Sequence, residues 1–503
     1  MTAVTPARDS AARYRIEPTV WQALRSPRLL TREVLAGLVV ALALIPEAIA
    51  FSIIAGVDPR VGLFSSFIMA VTIAFLGGRP AMISAATGAV ALVIAPVVRE
   101  HGMQYFIATV ILAGIIQLLL GVLGVAKLMR FIPRSVMVGF VNALAILIFS
   151  AQVPQLLGVP WAVYPLTVIG LAIVFLLPRL TRAVPAPLVA IVVLTVAVVA
   201  LGVHVPNVGD QGELPTSLPA LFIPQVPFTL ETLGIIGPYA LAMALVGLLE
   251  SLMTAKLVDD ITDTHSRKTR EALGQGGANI LSGLFGGMGG CAMIGQTMIN
   301  VKASGARTRI STFLAGAFLL VLVLVLGDLV AIIPMAALVA VMIFVSVATF
   351  DWHSIRPGTL RRMPKSETAV MLVTVVATVA THNLAIGVVL GVITAMVMFA
   401  RRVAHFVTVT RVVDADVARY TVDGELFFAS SNDLTTQFEY AADPHRVVID
   451  MSRSHIWDAS TVAALDAVVT KYAAHGTAVE IAGLNDTAAA FRDRLSGGLA
   501  GGH

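Results

Sequence analysis

Apolar runs dominate the chain from residue 33 to about 403, and they fall into two sets of seven. The first set lies near 33–54, 61–76, 81–98, 103–126, 135–152, 160–177 and 187–204. The second lies near 230–256, 274–285, 291–301, 310–332, 335–350, 367–381 and 383–400. A helix that crosses a hydrocarbon core of about 30 Å needs about 20 residues. The shorter runs therefore read as half-helices whose broken backbone faces protein or water. Pro46, inside the first run, predicts a kink just before Glu47. The two sets read as a repeat. Pro133 and Pro334 open matching runs, the run from Pro187 has a counterpart in GVVLGVITAMVMF, and Glu47 and Glu250 lie 203 positions apart. Seven is odd, so the second set must be inverted relative to the first. The linker 205–229 is rich in Pro and Gly, acidic and free of Lys and Arg, as expected of an external crossover. From about 408 the pattern changes. ARYTV, GELFF, RVVID and AVEIAG read as strands. Ser430 and Ser431 read as caps of a helix through about Tyr440, with further helices from Ser460 to Ala474 and from near Asn485. This is a small α/β unit, a sheet with helices packed on it.

Composition turns the apolar runs into membrane segments. The 503 residues are 57% hydrophobic and 13% charged, against about 25% charged in soluble domains, and mean hydropathy is +0.88. The chain is an α-helical polytopic membrane protein with a C-terminal α/β domain. Arg13, Arg15, Arg25, Arg28 and Arg32 precede the first run, and Arg401 and Arg402 follow the last. Both termini are thereby expected on the cytoplasmic side of the inner (plasma) membrane. The expected division is a cytoplasmic segment 1–32, repeat 1 at 33–204, the linker, repeat 2 at 230–403 and the domain 404–503. The N-terminus lacks the pattern of a cleaved signal peptide. One cysteine, Cys291, excludes a disulfide framework and a Cys-rich metal site. No G-x-x-x-x-G-K occurs, which argues against an ATP-driven pump, and no nucleophile–base set points to an enzyme. The net charge of +4 is ordinary for basic cytoplasmic loops and implies no nucleic-acid partner.

Two features carry the candidate chemistry. Glu47 and Glu250 sit within apolar runs, where an ionisable side chain costs about 2.5–3.5 kcal/mol on insertion scales. Each is followed by a short glycine-flanked stretch, GGRPAMISAATGAVALV from Gly77 and GGMGGCAMIGQTMINV from Gly286. Paired interrupted segments mark the central site of a transporter. A helix N-terminus presents unpaired N–H groups and about half a positive charge, so two facing ends can hold an anion without arginine. Small residues allow close approach: Ser84, Ala85, Ala86, Thr87 and Gly88 in one stretch, Gly290, Cys291, Ala292 and Met293 in the other. Thr254 shares a helix face with Glu250 and is a further lining candidate, whereas Arg79 reads as a membrane-surface residue. A carboxylate beside an anion repels it unless protonated, so proton and anion favour one another, which is the thermodynamic content of symport. Glu47 is the candidate proton carrier and Glu250 a second protonation site or internal partner. Plain structural roles stand beside these: hydrogen bonding for each glutamate, helix packing for the small residues and for Cys291. Asn142, Gln152 and Asn279 are expected to make interhelical hydrogen bonds, and His382 to be solvated.

The run IPEAIAFSIIAGVDPRVGLFSSF, the GGRPAMISAATG segment, GQGGANILSGLFGG and the terminal α/β unit together resemble the SulP anion transporters, whose animal members form solute carrier family 26. The resemblance spans nearly the whole chain, including the appended STAS domain. It implies 14 transmembrane segments in two intertwined inverted repeats, with a core from segments 1–4 and 8–11 and a gate from segments 5–7 and 12–14. It also implies an anion held between half-helices 3 and 10, an elevator movement and a homodimer; the STAS domain reads as a folding, trafficking or partner-docking module for a cytoplasmic protein, or as part of a dimer interface. Glutamate in IPEAIAF is similar to prokaryotic proton-coupled members, among them a fumarate symporter. Sodium-coupled bicarbonate carriers have aspartate where Glu250 aligns, and animal relatives a basic residue where Gln296 aligns. The resemblance therefore implies proton-coupled symport of a dicarboxylate such as fumarate, or of sulfate or bicarbonate. The proton is the coupling ion in place of sodium, and no other cofactor is implied. A passive anion channel or exchanger of the same fold is the alternative, and a sensor signalling through the STAS domain is a third. In the soluble anti-sigma antagonists that the tail resembles, the phosphorylated serine follows an aspartate. Here Asp458 is followed by Ala459, and Ser460 reads equally well as a helix N-cap.

Overall fold

The computed structural model describes residues 18–124, 132–180, 185–404, 407–414, 416–428, 430 and 434–495. Two compact units meet between Val392 and Ile393. The first opens with α1 (Val20–Arg25), α2 (Pro27–Ala55) and α3 (Pro59–Leu76). A two-residue strand β1 (Ser84–Ala85) leads into α4 (Gly88–Val122), and α5 (Arg134–Gln152), α6 (Val163–Leu180) and α7 (Ala186–Leu201) follow. Past the linker come α8 (Leu230–Thr262), α9 (Lys268–Leu284), β2 (Cys291–Ala292) and α10 (Ile294–Met298), which passes into a π-turn Ile299–Ala303. Then follow α11 (Arg309–Val325), α12 (Gly327–Ala331), α13 (Met335–Thr349), α14 (Pro357–Arg362), α15 (Lys365–Thr381) and α16 (Leu384–Ala404). Seven of the described helices are long and apolar enough to cross a membrane, and Ala186–Leu201, Arg309–Val325 and Met335–Thr349 are shorter apolar ones.

Local chemistry sets these boundaries. Proline stands in the first turn of α2 and of α3, where its missing N–H costs nothing. Gly56 closes α2 at φ 79°. Threonine caps start α4, α8 and α11. Two packing groups emerge. Helices α2, α3, α4, α8, α9 and α11 form one, while α5, α6, α7, α13 and α15 form the other. The first group is drawn tight by backbone contact. A Cβ on Gly114 would lie 2.7 Å from the Gly276 carbonyl oxygen, and one on Gly276 the same distance from that of Gly114, so α4 and α9 meet main chain to main chain. Arg309 and Arg270 donate to the last carbonyls of α3, at Gly77 (2.7 Å) and Phe75 (2.8 Å). These contacts replace the solvent that a helix end normally needs.

The second unit holds β3 (Thr408–Asp414), β4 (Val417–Leu426), β5 (Arg446–Ile456) and β6 (Ala478–Ala482) in that order, the first pair antiparallel and the others parallel. Alternate residues of β4 (Ala418, Tyr420, Val422) are buried against the helix Ala459–Ala474, through Val462, Leu465 and Val468.

Several expectations need correction. The expected division between the runs 81–98 and 103–126 falls at Gly102, whose φ of 80° breaks α4 into two helices, but the first of them begins only at Gly88. The run 310–332 divides into α11 and α12. ARYTV and GELFF belong to one strand, and β3 was not foreseen. No helix reaches Tyr440: a 3-10 turn ends at Gln437, and the Ser430 hydroxyl accepts from the Phe427 N–H behind it. Ser431, like Arg13 and Arg15, lies outside the described residues. The helix at 459 is capped by Asp458, which accepts from the Thr461 N–H, so Ser460 is no cap. Arg79, read as a membrane-surface residue, is packed within protein near the C-terminal end of α8, ion-paired with Asp259 at 3.3 Å.

Candidate anion and proton site

The two halves of the membrane unit meet at β1 and β2, which pair antiparallel with Ser84 opposite Ala292 and Ala85 opposite Cys291. Non-helical backbone at membrane depth meets no water, and each unpaired N–H or C=O would cost several kcal/mol. Side chains from the surrounding helices fill that need. Ala86 N–H donates to Ser66 Oγ (3.2 Å), Ala292 N–H to Ser251 Oγ (3.0 Å), Ile83 N–H to Thr297 Oγ1 (3.0 Å) and Gly290 N–H to Asn279 Oδ1 (2.8 Å). Gln275 Nε2 donates to Ser84 Oγ at 2.7 Å. The strands lie so close that a Cβ on Gly290 would sit 1.9 Å from the Ala85 carbonyl oxygen. Only glycine fits there.

Helix α4 starts directly beyond β1, with Thr87 as its cap. A cavity of about 700 Å³ lies against this start. Glu47, Phe51, Thr87, Gly88, Glu250, Met293 and Gln296 line it from the first helix group, and Phe140, Leu144, Val341 and Phe344 from the second. The cavity therefore separates the two packing groups. Among the described residues no Lys or Arg lines it, so the α4 first turn supplies its positive potential through backbone N–H groups. Glu47 is half-buried, open to the cavity and hydrogen-bonded to the Gln296 side chain. Glu250 is more enclosed, 7% exposed. Cys291 Sγ donates to Glu250 Oε2 at 3.0 Å and lies 3.1 Å from Thr87 Oγ1. A polar chain thus runs from Glu250 in the second half to the α4 cap in the first.

Of the residues singled out in sequence, Glu47, Glu250, Thr87, Gly88 and Met293 line the cavity. Ser84, Ala86, Gly290, Cys291 and Ala292 are packed behind it, in and around the strand pair. Thr254 does not reach it: its hydroxyl donates to the Glu250 carbonyl, 2.8 Å away on its own helix. Asn279 bridges Gln117 and Gly290, and Asn142 reaches Ser354, whereas Gln152 bonds only within its helix, to Ile148. Three residues went unforeseen as site components. Gln296 had been read only as a missing cation, although it faces Glu47. Ser66 and Ser251 hold the strand pair. Their signal was a hydroxyl inside an apolar helix, next to a repeat glutamate in the case of Ser251.

The chain matches the family model described as "Sulfate permease family" over residues 30–166 and 159–374, and a STAS domain over 409–495. It is 53% identical over 465 residues to YbaR of Bacillus subtilis, covering 92% of this chain and 97% of that one. The transmembrane domain of a cyanobacterial bicarbonate transporter, BicA, superposes with a TM-score of 0.64 at 28% identity, over 74% of this chain and 98% of that domain. Murine Solute Carrier 26 family member A9, in its inward-facing state, shares the fold at a TM-score of 0.81 and 17% identity, over 97% and 92% of the two chains. With its multi-pass helical domain, its paired half-segments and its C-terminal STAS domain, this chain belongs to the sulfate permease family of anion transporters.

Proposed function

We propose that the protein imports a small oxyanion together with a proton. The anion is a dicarboxylate such as fumarate, or sulfate or bicarbonate, and the protein is a homodimer in the cell membrane with both termini cytoplasmic. The observation that carries this is the position of Glu47, which opens into the same cavity as the α4 cap Thr87 and Gly88. An anion beside Gly88 and a charged Glu47 exclude each other in a low-dielectric pocket. A proton on Glu47 removes the repulsion, so the two bind as a pair. The cavity between the two helix groups supports an elevator step in which the α2–α4 and α8–α11 group moves against the other. The STAS domain serves as a docking module for a cytoplasmic protein.

The test is uptake of labelled fumarate, sulfate and bicarbonate into liposomes holding the purified protein, with and without an inward proton gradient. Uphill uptake of one anion that needs the gradient and vanishes in Glu47→Gln is the expected result. Uptake indifferent to the gradient, with Glu47→Gln unimpaired, would replace symport by a channel or exchanger.

A further inference from the structure

A second cavity, of about 680 Å³, adjoins the first. Arg28, Thr31, Arg32 and Leu35 line it, and Val39 and Ser304 belong to its wall and to that of the central cavity. The spacing on α2 is helical. Residues 28, 32, 35 and 39 face the outer cavity, and residues 39, 43, 47 and 51 face the inner one. One stripe of a single helix therefore leads from two guanidinium groups to Glu47.

Among the described residues the two arginines, unlike their neighbours, have no protein acceptor. Arg79 is paired with Asp259, Arg307 donates to the Val301 carbonyl and Arg309 to that of Gly77. Among the described residues neither Arg28 nor Arg32 makes an ion pair, and Arg32 Nε is buried without a hydrogen-bond partner. A guanidinium presents a planar fork of donors that suits carboxylate and other oxyanions. The central cavity has no such cation among its described lining residues, so of the two cavities the one at the N-terminal end of α2 carries the fixed positive charge among the described residues.

We propose that Arg28 and Arg32 form a holding site for small oxyanions at the cytoplasmic end of α2, which an imported anion reaches from the central cavity past Val39 and Ser304. The proposal rests on the anion-transport reading and adds the place where the anion is held before its release.

The test uses the full chain carrying Ser304→Cys as a reporter at the shared wall. Thiol modification by an anionic methanethiosulfonate is compared with that by a cationic one, and labelling of Cys291 in the parent chain is subtracted. Neutralising both arginines (Arg28→Gln with Arg32→Gln) should lower the anionic-to-cationic rate ratio about tenfold at low ionic strength. The pair Arg28→Lys with Arg32→Lys should keep most of it. An unchanged ratio in the glutamine pair overturns the proposal. This readout does not depend on transport, so it decides the matter even if no anion is carried.

Discussion

The contact between β1 and β2 gives a sharp prediction at Gly290. A Cβ there would lie 1.9 Å from the Ala85 oxygen and 2.6 Å from its carbonyl carbon. Both are main-chain atoms, so no rotamer change relieves the clash. Restoring even a short contact requires the strands to part by more than about 1 Å, given carbon contact optima of about 3.5–4.0 Å. Overpacking of this kind costs about 1–3 kcal/mol. Separation also stretches the Gly290–Asn279 bond (2.8 Å) and the Met293 N–H to Ile83 bond (2.9 Å), and each buried group left unpaired adds about 1–3 kcal/mol. Gly290→Ala should therefore lose about 3–9 kcal/mol of stability, a large share of the roughly 5–15 kcal/mol typical of folded proteins. Gly295→Ala is the matched control: it lines the cavity, nothing lies within 4 Å of its Cβ, and alanine favours the helix by about 1 kcal/mol. Thermal unfolding in detergent should fall clearly for Gly290→Ala and hold or rise for Gly295→Ala. In liposomes, Gly290→Ala should lose uptake and Gly295→Ala should change mainly the KM for the anion. Wild-type unfolding and wild-type uptake in Gly290→Ala would refute the close approach on which the site is built.

Other consequences follow from single contacts. Glu33, 1% exposed, accepts N–H bonds from Arg307 (2.8 Å), Thr308 (3.2 Å) and Ser311 (3.3 Å) at the start of α11; Glu33→Ala should destabilise by about 2–4 kcal/mol and Glu33→Gln by about half of that, measured by chemical unfolding. Cys291→Ser keeps a donor between Glu250 and Thr87 and should retain uptake, while Cys291→Ala removes it and should lower kcat/KM about tenfold, as loss of a hydrogen bond to a carboxylate implies. In the STAS domain the phenols of Tyr420 and Tyr472 donate to the buried Asp443 carboxylate, and burial, then that carboxylate, holds both above the ordinary tyrosine range. The folded state keeps protons that the unfolded chain releases at about pH 10, so stability is intact below that pH and falls as pH rises past it. An alkaline absorbance titration should show these two phenols and the neighbouring Tyr440, which burial also raises, lagging the rest, and simultaneous titration of all tyrosines would refute the cluster.

How far the sequence could be read depended on the kind of interaction involved. The apolar runs, the paired glutamates and the glycine-flanked stretches are one-dimensional patterns, and they located the strand pair and the cavity wall. Thr254 was misplaced because helical spacing gives a face but not a rotamer, and its hydroxyl has a carbonyl one turn back that it can bond without turning outward. The ion pair of Arg79 was not legible because its partner Asp259 lies 180 positions away, a distance over which no local pattern speaks. Asp458, not Ser460, caps its helix, since either residue type suits that role and only backbone geometry chooses between them. Gln296 escaped notice because an amide in an apolar run has many uses. Its role appears only when Glu47 is placed opposite.

The repeat also hides an asymmetry that bears on coupling. Glu47 and Glu250 occupy equivalent positions in sequence, yet they answer to different partners. The segment after β1 continues as a long helix with a threonine cap, whereas the one after β2 forms five α-helical residues before the π-turn and has no side-chain cap. The α4 first turn is therefore the stronger source of positive potential, and on the proposed reading Glu47, beside the neutral amide of Gln296, is the carboxylate whose charge the anion would meet in the open cavity. Glu250 is spoken for by the Cys291 thiol, which ties it to Thr87. A proton gained or lost at Glu47 changes the electrostatics of the cavity directly. One at Glu250 acts through the Cys291–Thr87 chain on the cap of α4, and so on the geometry of the anion cradle. On this division Glu47→Gln should uncouple uptake from the proton gradient, while Glu250→Gln should change anion affinity and leave the coupling in place.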